Sequence, residues 1–160
     1  METRGLIKII ILVLLCLVVH AITSGAQTLY TKNSQITLST NTAITVRGSV
    51  ENAGTILNNG HLKVSGPWIN SGVYIPGEGM VTFNSTSATV PQIIHHNGQT
   101  FNRVTLAGAT KKIILSDLTI GREIHFQNGV VEAAGDARTI FEDGVTISGA
   151  SDSSHIHGVV

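Results

Sequence analysis

Seven positions of this chain repeat in residue type at a spacing of 18, without a gap, and this repeat restricts the fold more than any other feature. Ile44 aligns with Leu62, Val46 with Val64, Gly48 with Gly66 and Val50 with Trp68; Asn52 aligns with Asn70, Gly54 with Gly72 and Ile56 with Tyr74. With one residue inserted the match continues as Gly60 with Gly79, Leu62 with Val81 and Val64 with Phe83. A looser copy follows as Ile120-Gly121, Ile124, Phe126, Asn128-Gly129 and Val131. Apolar and polar residues alternate within the copies, as in Leu62-Lys63-Val64, Val81-Thr82-Phe83 and Ile124-His125-Phe126, which is the period of a β-strand. Asn59-Gly60, Pro76-Gly77, Asn97-Gly98, Asn128-Gly129 and Asp143-Gly144 separate the strands with turn chemistry.

Short strands joined by tight turns can coil so that each turn stacks on the last and equivalent positions form ladders. Apolar ladders then make a continuous interior. An Asn ladder, here Asn52 over Asn70, shares amide hydrogen bonds along the stack. Gly54 and Gly72 are expected at corners where the backbone needs positive φ. The expected fold is therefore all-β, a single-domain parallel β-helix or solenoid. A β-sandwich is the alternative, because Asn-Gly pairs also close two-residue hairpins. Gap-free copies favour the solenoid, since a sandwich gives them no structural cause.

The solenoid is expected over residues 27–160, preceded by a helical signal peptide over residues 1–26. Arg4 and Lys8 supply a positive start, Ile9 to Val19 is wholly apolar, and Ser24-Gly25-Ala26 offers small residues at a cleavage site. An uncleaved anchor is the alternative, but a span needs about 20 apolar residues and His20 closes this run early. Export to the periplasm, cell surface or medium follows, with no membrane attachment after cleavage. Cys16, the only cysteine, lies inside the apolar run, so its removal leaves no thiol for a disulfide, a nucleophile or a metal.

Ten Lys and Arg balance ten Asp and Glu, so there is no basic field to hold nucleic acid or an anionic membrane. The histidines do not converge in the sequence: His95 and His96 are adjacent and face opposite ways, and His155 and His157 lie far from them. Surface or corner positions are expected for them, with no metal site. Asp117, Asp136, Asp143 and Asp152 are out of register with one another, and Glu142-Asp143 is an adjacent pair on opposite faces. That pattern lacks the facing carboxylates of a polysaccharide hydrolase or lyase. No catalytic residue and no cofactor are expected. Trp68 and Tyr74 replace aliphatic ladder residues, so an interior position is expected; an exposed sugar-stacking pair is the alternative.

The run Gly66-Pro67-Trp68-Ile69-Asn70-Ser71-Gly72, followed by Pro76-Gly77-Glu78-Gly79-Met80-Val81-Thr82-Phe83-Asn84, resembles a β-helical segment of large secreted surface proteins of the Bacteroidetes. Gln92-Ile93, Phe101-Asn102-Arg103-Val104 and Ser154 to Val160 stand where that segment has its later steps. The resemblance implies a non-catalytic, adhesin-like scaffold. It also implies cell-surface polysaccharide or the remainder of a longer surface protein as partners. The stretch from Val145 to Val160 carries no polar cap, so self-association at an open solenoid end is expected.

Overall fold

The structure, a computed structural model, describes residues 27–87 and 89–158. The signal segment, Cys16 and the last two valines lie outside the described residues. Fifteen strands form, and no helix is present among the described residues. None is therefore long and apolar enough to cross a membrane. The strands are β1 (Leu29–Leu38), β2 (Ala43–Val46), β3 (Val50–Asn58), β4 (His61–Val64), β5 (Trp68–Asn70), β6 (Val73–Ile75), β7 (Met80–Phe83) and β8 (Gln92–His95). They continue as β9 (Thr100–Leu106), β10 (Lys112–Ile114), β11 (Leu118–Phe126), β12 (Val131–Ala133), β13 (Thr139–Phe141), β14 (Thr146–Ser148) and β15 (Ile156–His157).

Every pairing between these strands is parallel, and consecutive strands alternate largely between two sheets. One sheet runs β1-β3-β5-β8-β10-β12-β15, the other β2-β4-β7-β9-β11-β13. Parallel neighbours need a crossover, and here each crossover is the opposite wall of the same coil. The result is a β-solenoid of about six coils. The sandwich alternative is excluded.

The sequence repeat is the physical register. Ile44 pairs with Leu62 and Val46 with Val64. Val50 lies beside Trp68 and Asn52 beside Asn70, and Ile56 lies beside Tyr74. The inserted residue is also accommodated as expected, with Leu62 beside Val81 and Val64 beside Phe83. The alternation puts one apolar ladder per column inside, where Val50, Leu62, Val64, Trp68, Val81, Phe83 and Phe101 are all fully buried. Burying one such side chain contributes roughly 1.5–3 kcal/mol.

One expectation needs correction. Gly54 and Gly72 do not adopt positive φ. They are glycine because successive coils touch there: a Cβ on Gly72 would collide with the carbonyl oxygen of Gly54, and one on Gly54 with that of Ser34. Positive φ occurs instead at loop tips such as Asn97-Gly98, with values of 56° and 69°.

Candidate functional site

The interior holds an aromatic cluster built on β5, β6, β7 and β9. Trp68 and Tyr74 meet edge to face at 5.6 Å, and Trp68 meets Phe101 at 5.3 Å in the same manner. The His96 ring, just beyond β8, lies flat on Phe101 at 3.6 Å and 5°. Trp68 Nε1–H donates to His96 Nδ1 at 3.0 Å. An indole nitrogen can only donate, so His96 Nδ1 must accept and the proton sits on Nε2. Nε2 is buried and finds no hydrogen-bond partner among the described residues. Burial pushes the His96 pKa down to about 3, against the opposing pull of the Thr100 carbonyl, with His95 adding a little to the fall. Neutral imidazole is therefore the form the interior holds. The sequence expectation of a surface or corner histidine fails for His96. The signal was present, since Gln92, Ile94 and His96 share one face of an alternating strand.

Trp68 is 0% exposed and Tyr74 5%. Neither ring presents a face on which a sugar could stack, so the stacking alternative is corrected by their burial. The Tyr74 hydroxyl accepts from Asn58 Nδ2 at 3.0 Å, and desolvation raises its pKa beyond the usual tyrosine range.

Beside the cluster runs a buried polar ladder. Asn52 Nδ2 donates to Asn70 Oδ1 at 2.7 Å and to the Val73 carbonyl at 3.0 Å. Its Oδ1 accepts from Gly54 N–H at 3.1 Å and from the Thr31 hydroxyl at 3.3 Å. All four hydrogen-bonding capacities of this amide are used. The expected Asn ladder is thus present, extended to Thr31 on one side and towards His96 on the other.

A second buried polar group went unforeseen. Lys112 is 0% exposed and has no carboxylate partner among the described residues. Its Nζ donates to the carbonyls of Ala107, Gly108 and Thr110 at 2.6, 2.7 and 2.8 Å. Desolvation pushes its pKa down to about 8, while the three carbonyls favour the ammonium form.

The outer surface is more open. A groove of about 690 Å³ lies at the corner between the sheets, lined by Pro76, Glu78, Gln99, Thr100, Asn102 and Glu142 among others. Glu78 is bridged by Arg122 at 2.6 Å, and Glu142 accepts from the Thr100 hydroxyl at 3.4 Å. Asn102 Nδ2 donates to the Gly77 carbonyl at 2.6 Å, and Arg103 to the Glu78 carbonyl. Asp136, Asp143 and Asp152 are exposed in the last coil, outside this groove. Among the described residues, no group of three or more His, Cys, Asp or Glu could hold a metal ion.

Comparison of the chain with protein-family models, with curated proteins and with solved structures finds no match. The fold is therefore defined by its geometry: a short parallel β-solenoid.

Proposed function

We propose that this chain is an exported, non-catalytic scaffold or adhesin-like segment of a bacterial surface protein, of the kind the sequence resembles. The observation that carries this reading is where its polar side chains are directed. Many of them, inside and outside, bond the adjacent coil. Asn52 bonds Asn70, His61 Nε2 meets the Thr82 hydroxyl at 2.8 Å, Ser65 meets Asn84 at 3.2 Å, and His125 Nδ1 meets the Ser148 hydroxyl at 2.8 Å. Arg138 reaches back to Asp117 and Lys111 across to Glu132 in the same sense. A protein whose polar groups cross-link its own coils is suited to stiffness and display, and each rung adds a little to a structure that unfolds as a stack.

The corner groove supports a second reading as a carbohydrate-binding module. Glu78, Gln99, Asn102 and Glu142 supply donors and acceptors of the kind hydroxyls need. Two measurements separate the readings. Fractionation of cells expressing the full chain should show an exported product beginning at Gln27, and an uncleaved cytoplasmic product would overturn export. Incubation with polysaccharides should leave reducing ends unchanged. Binding abolished by Glu142→Gln would favour the module, and product release abolished by it would overturn the non-catalytic reading.

A further inference from the structure

Among the described residues, the interior ladders run out to solvent at both ends of the stack. One column reads Ile44, Leu62, Val81, Val104, Ile124 and Ile147, each beside the next by strand register. Its middle members are buried, Ile124 at 1% exposure, yet Ile147 is 52% exposed. Ile147 is a core residue by position and a surface residue only because no described coil follows it. Leu29, Ile36 and Ile44 are likewise only partly covered at the other end, as are Phe141, Val145 and Ile156 at this one. The strand edges match the side chains. β2 is the last strand of its sheet at one end, and β13 and β14 close that sheet at the other.

The charges at the two ends are opposite. The first coil, residues 27–50, carries Lys32 and Arg47 and no acid. The last, residues 134–158, carries Asp136, Glu142, Asp143 and Asp152 against Arg138 alone, and Arg138 is already bridged to Asp117. Identical ends brought together would set like charges face to face. Unlike ends would not.

We propose that a second copy of this chain stacks head to tail, its first coil on the last coil of the copy before. Extending the register places Ala43, Ile44 and Thr45 of one copy beside Thr146, Ile147 and Ser148 of the other, so the column of Ile44 continues without a break. The junction is carried mainly by this sheet. In the other sheet β1 is interrupted by a bulge between Lys32 and Gln35, and β15 is only two residues long, beside the Ser151–Ser154 bridge. Both features blunt an edge. A contact between unlike ends does not close on itself, so the product is an open filament rather than a dimer. This inference rests on the proposed export, because cleavage before Gln27 would leave the first coil at the start of the chain.

Charge exchange tests it. Lys32→Glu with Arg47→Glu makes both ends acidic, and Asp136→Lys with Asp143→Lys removes the acidic excess of the last coil, setting two lysines against Glu142 and Asp152. All four positions are exposed, so circular dichroism should report unchanged β-structure. In sedimentation velocity over a hundredfold concentration range, the wild-type protein should grow in mean mass with concentration, and salt should weaken that growth. Each double variant alone should need a concentration about tenfold higher or more for the same mass. An equimolar mixture of the two should regain association, because unlike ends meet again. A wild-type protein that stays monomeric throughout would overturn the proposal. Variants that associate as the wild type does would place the contact elsewhere and overturn it equally.

Discussion

Acidification from pH 7.5 to pH 5 should destabilise this protein through His96. A histidine in an unfolded chain titrates near 6.5, whereas burial holds His96 down at about 3. Above pH 6.5 the ring is neutral in both states and the group contributes no pH dependence. Between 6.5 and 3 the unfolded chain binds a proton that the folded chain does not, so stability falls as pH falls. Below about 3 both states are protonated and the loss is complete. At pH 5 the unfolded ring is 1.5 units past its midpoint, which corresponds to ~2 kcal/mol lost. Protonation at Nδ1 would also set an N–H against the Trp68 N–H it now receives. His61, partly buried and beside Lys63, acts in the same direction. The carboxyls of Asp117 and Glu132, held low by hydrogen bonds from Arg138 and Lys111, act the same way only at lower pH. Urea unfolding followed by Trp68 fluorescence should show the ~2 kcal/mol loss in the wild type and most of it absent in His96→Gln. Should that variant not fold, the ring protons of His96 in the wild type carry the same information. They should hold constant shifts from pH 7.5 to 4.5, and a ring that titrates near 6.5 in the folded protein would refute the reasoning.

Trp68 is the only tryptophan, so its emission should be blue-shifted and resistant to iodide; free quenching would contradict its burial. Gly72→Ala should destabilise by ~3 kcal/mol in urea, because its Cβ meets backbone that cannot move without separating two coils. Lys112→Met keeps the stem but leaves the Ala107, Gly108 and Thr110 carbonyls without a donor, and should cost ~2–4 kcal/mol by the same assay. Asn52→Ala should cost ~3 kcal/mol, since the Val73 carbonyl, the Gly54 N–H and Asn70 Oδ1 each lose a partner.

The coils from β2 to β6 were legible because they obey one period. Residues 44–56 and 62–74 differ by 18 at every paired position, and strand register needs nothing else. The next coil escaped notice because its spacing changes. Trp68 pairs with Ile94, a separation of 26, after the loop at 84–91 is inserted. A period search cannot see across such an insertion, although the physical ladder continues unbroken through it. The aromatic cluster was half legible for that reason. Trp68, Tyr74 and Phe83 fall in the regular coils, whereas Phe101 and His96, which complete it, fall beyond the loop. The corner groove was not legible at all, since Arg122 and Glu78 are 44 residues apart and meet across two coils.

The loop also explains why a lysine and a glutamine lie in the interior. One corner column reads Gly48, Gly66, Gln92, Lys112 and Val131 by register. In the regular coils the column is glycine because backbone packs on backbone: a Cβ on Gly66 would lie 2.5 Å from the carbonyl carbon of Gly48. The connections before β8 and β10 are longer than the one before β5, and the residue that opens each of these two strands reaches backbone carbonyls at the corner. Buried carbonyls without donors are costly, so something must reach them. Gln92 Nε2 donates to the Val64 and Gly66 carbonyls at 2.9 and 2.8 Å, and its Oε1 accepts from Ser85 N–H. One coil further on, Lys112 meets three carbonyls, and beyond it the Ser154 hydroxyl closes on the Gly129 carbonyl. The charge on Lys112 is thus accounted for by backbone geometry rather than by a ligand or an ion pair. It follows that shortening the 84–91 loop to the regular coil length should favour glycine at position 92. A long polar side chain there would then lose the carbonyls it now satisfies and clash with the coil below.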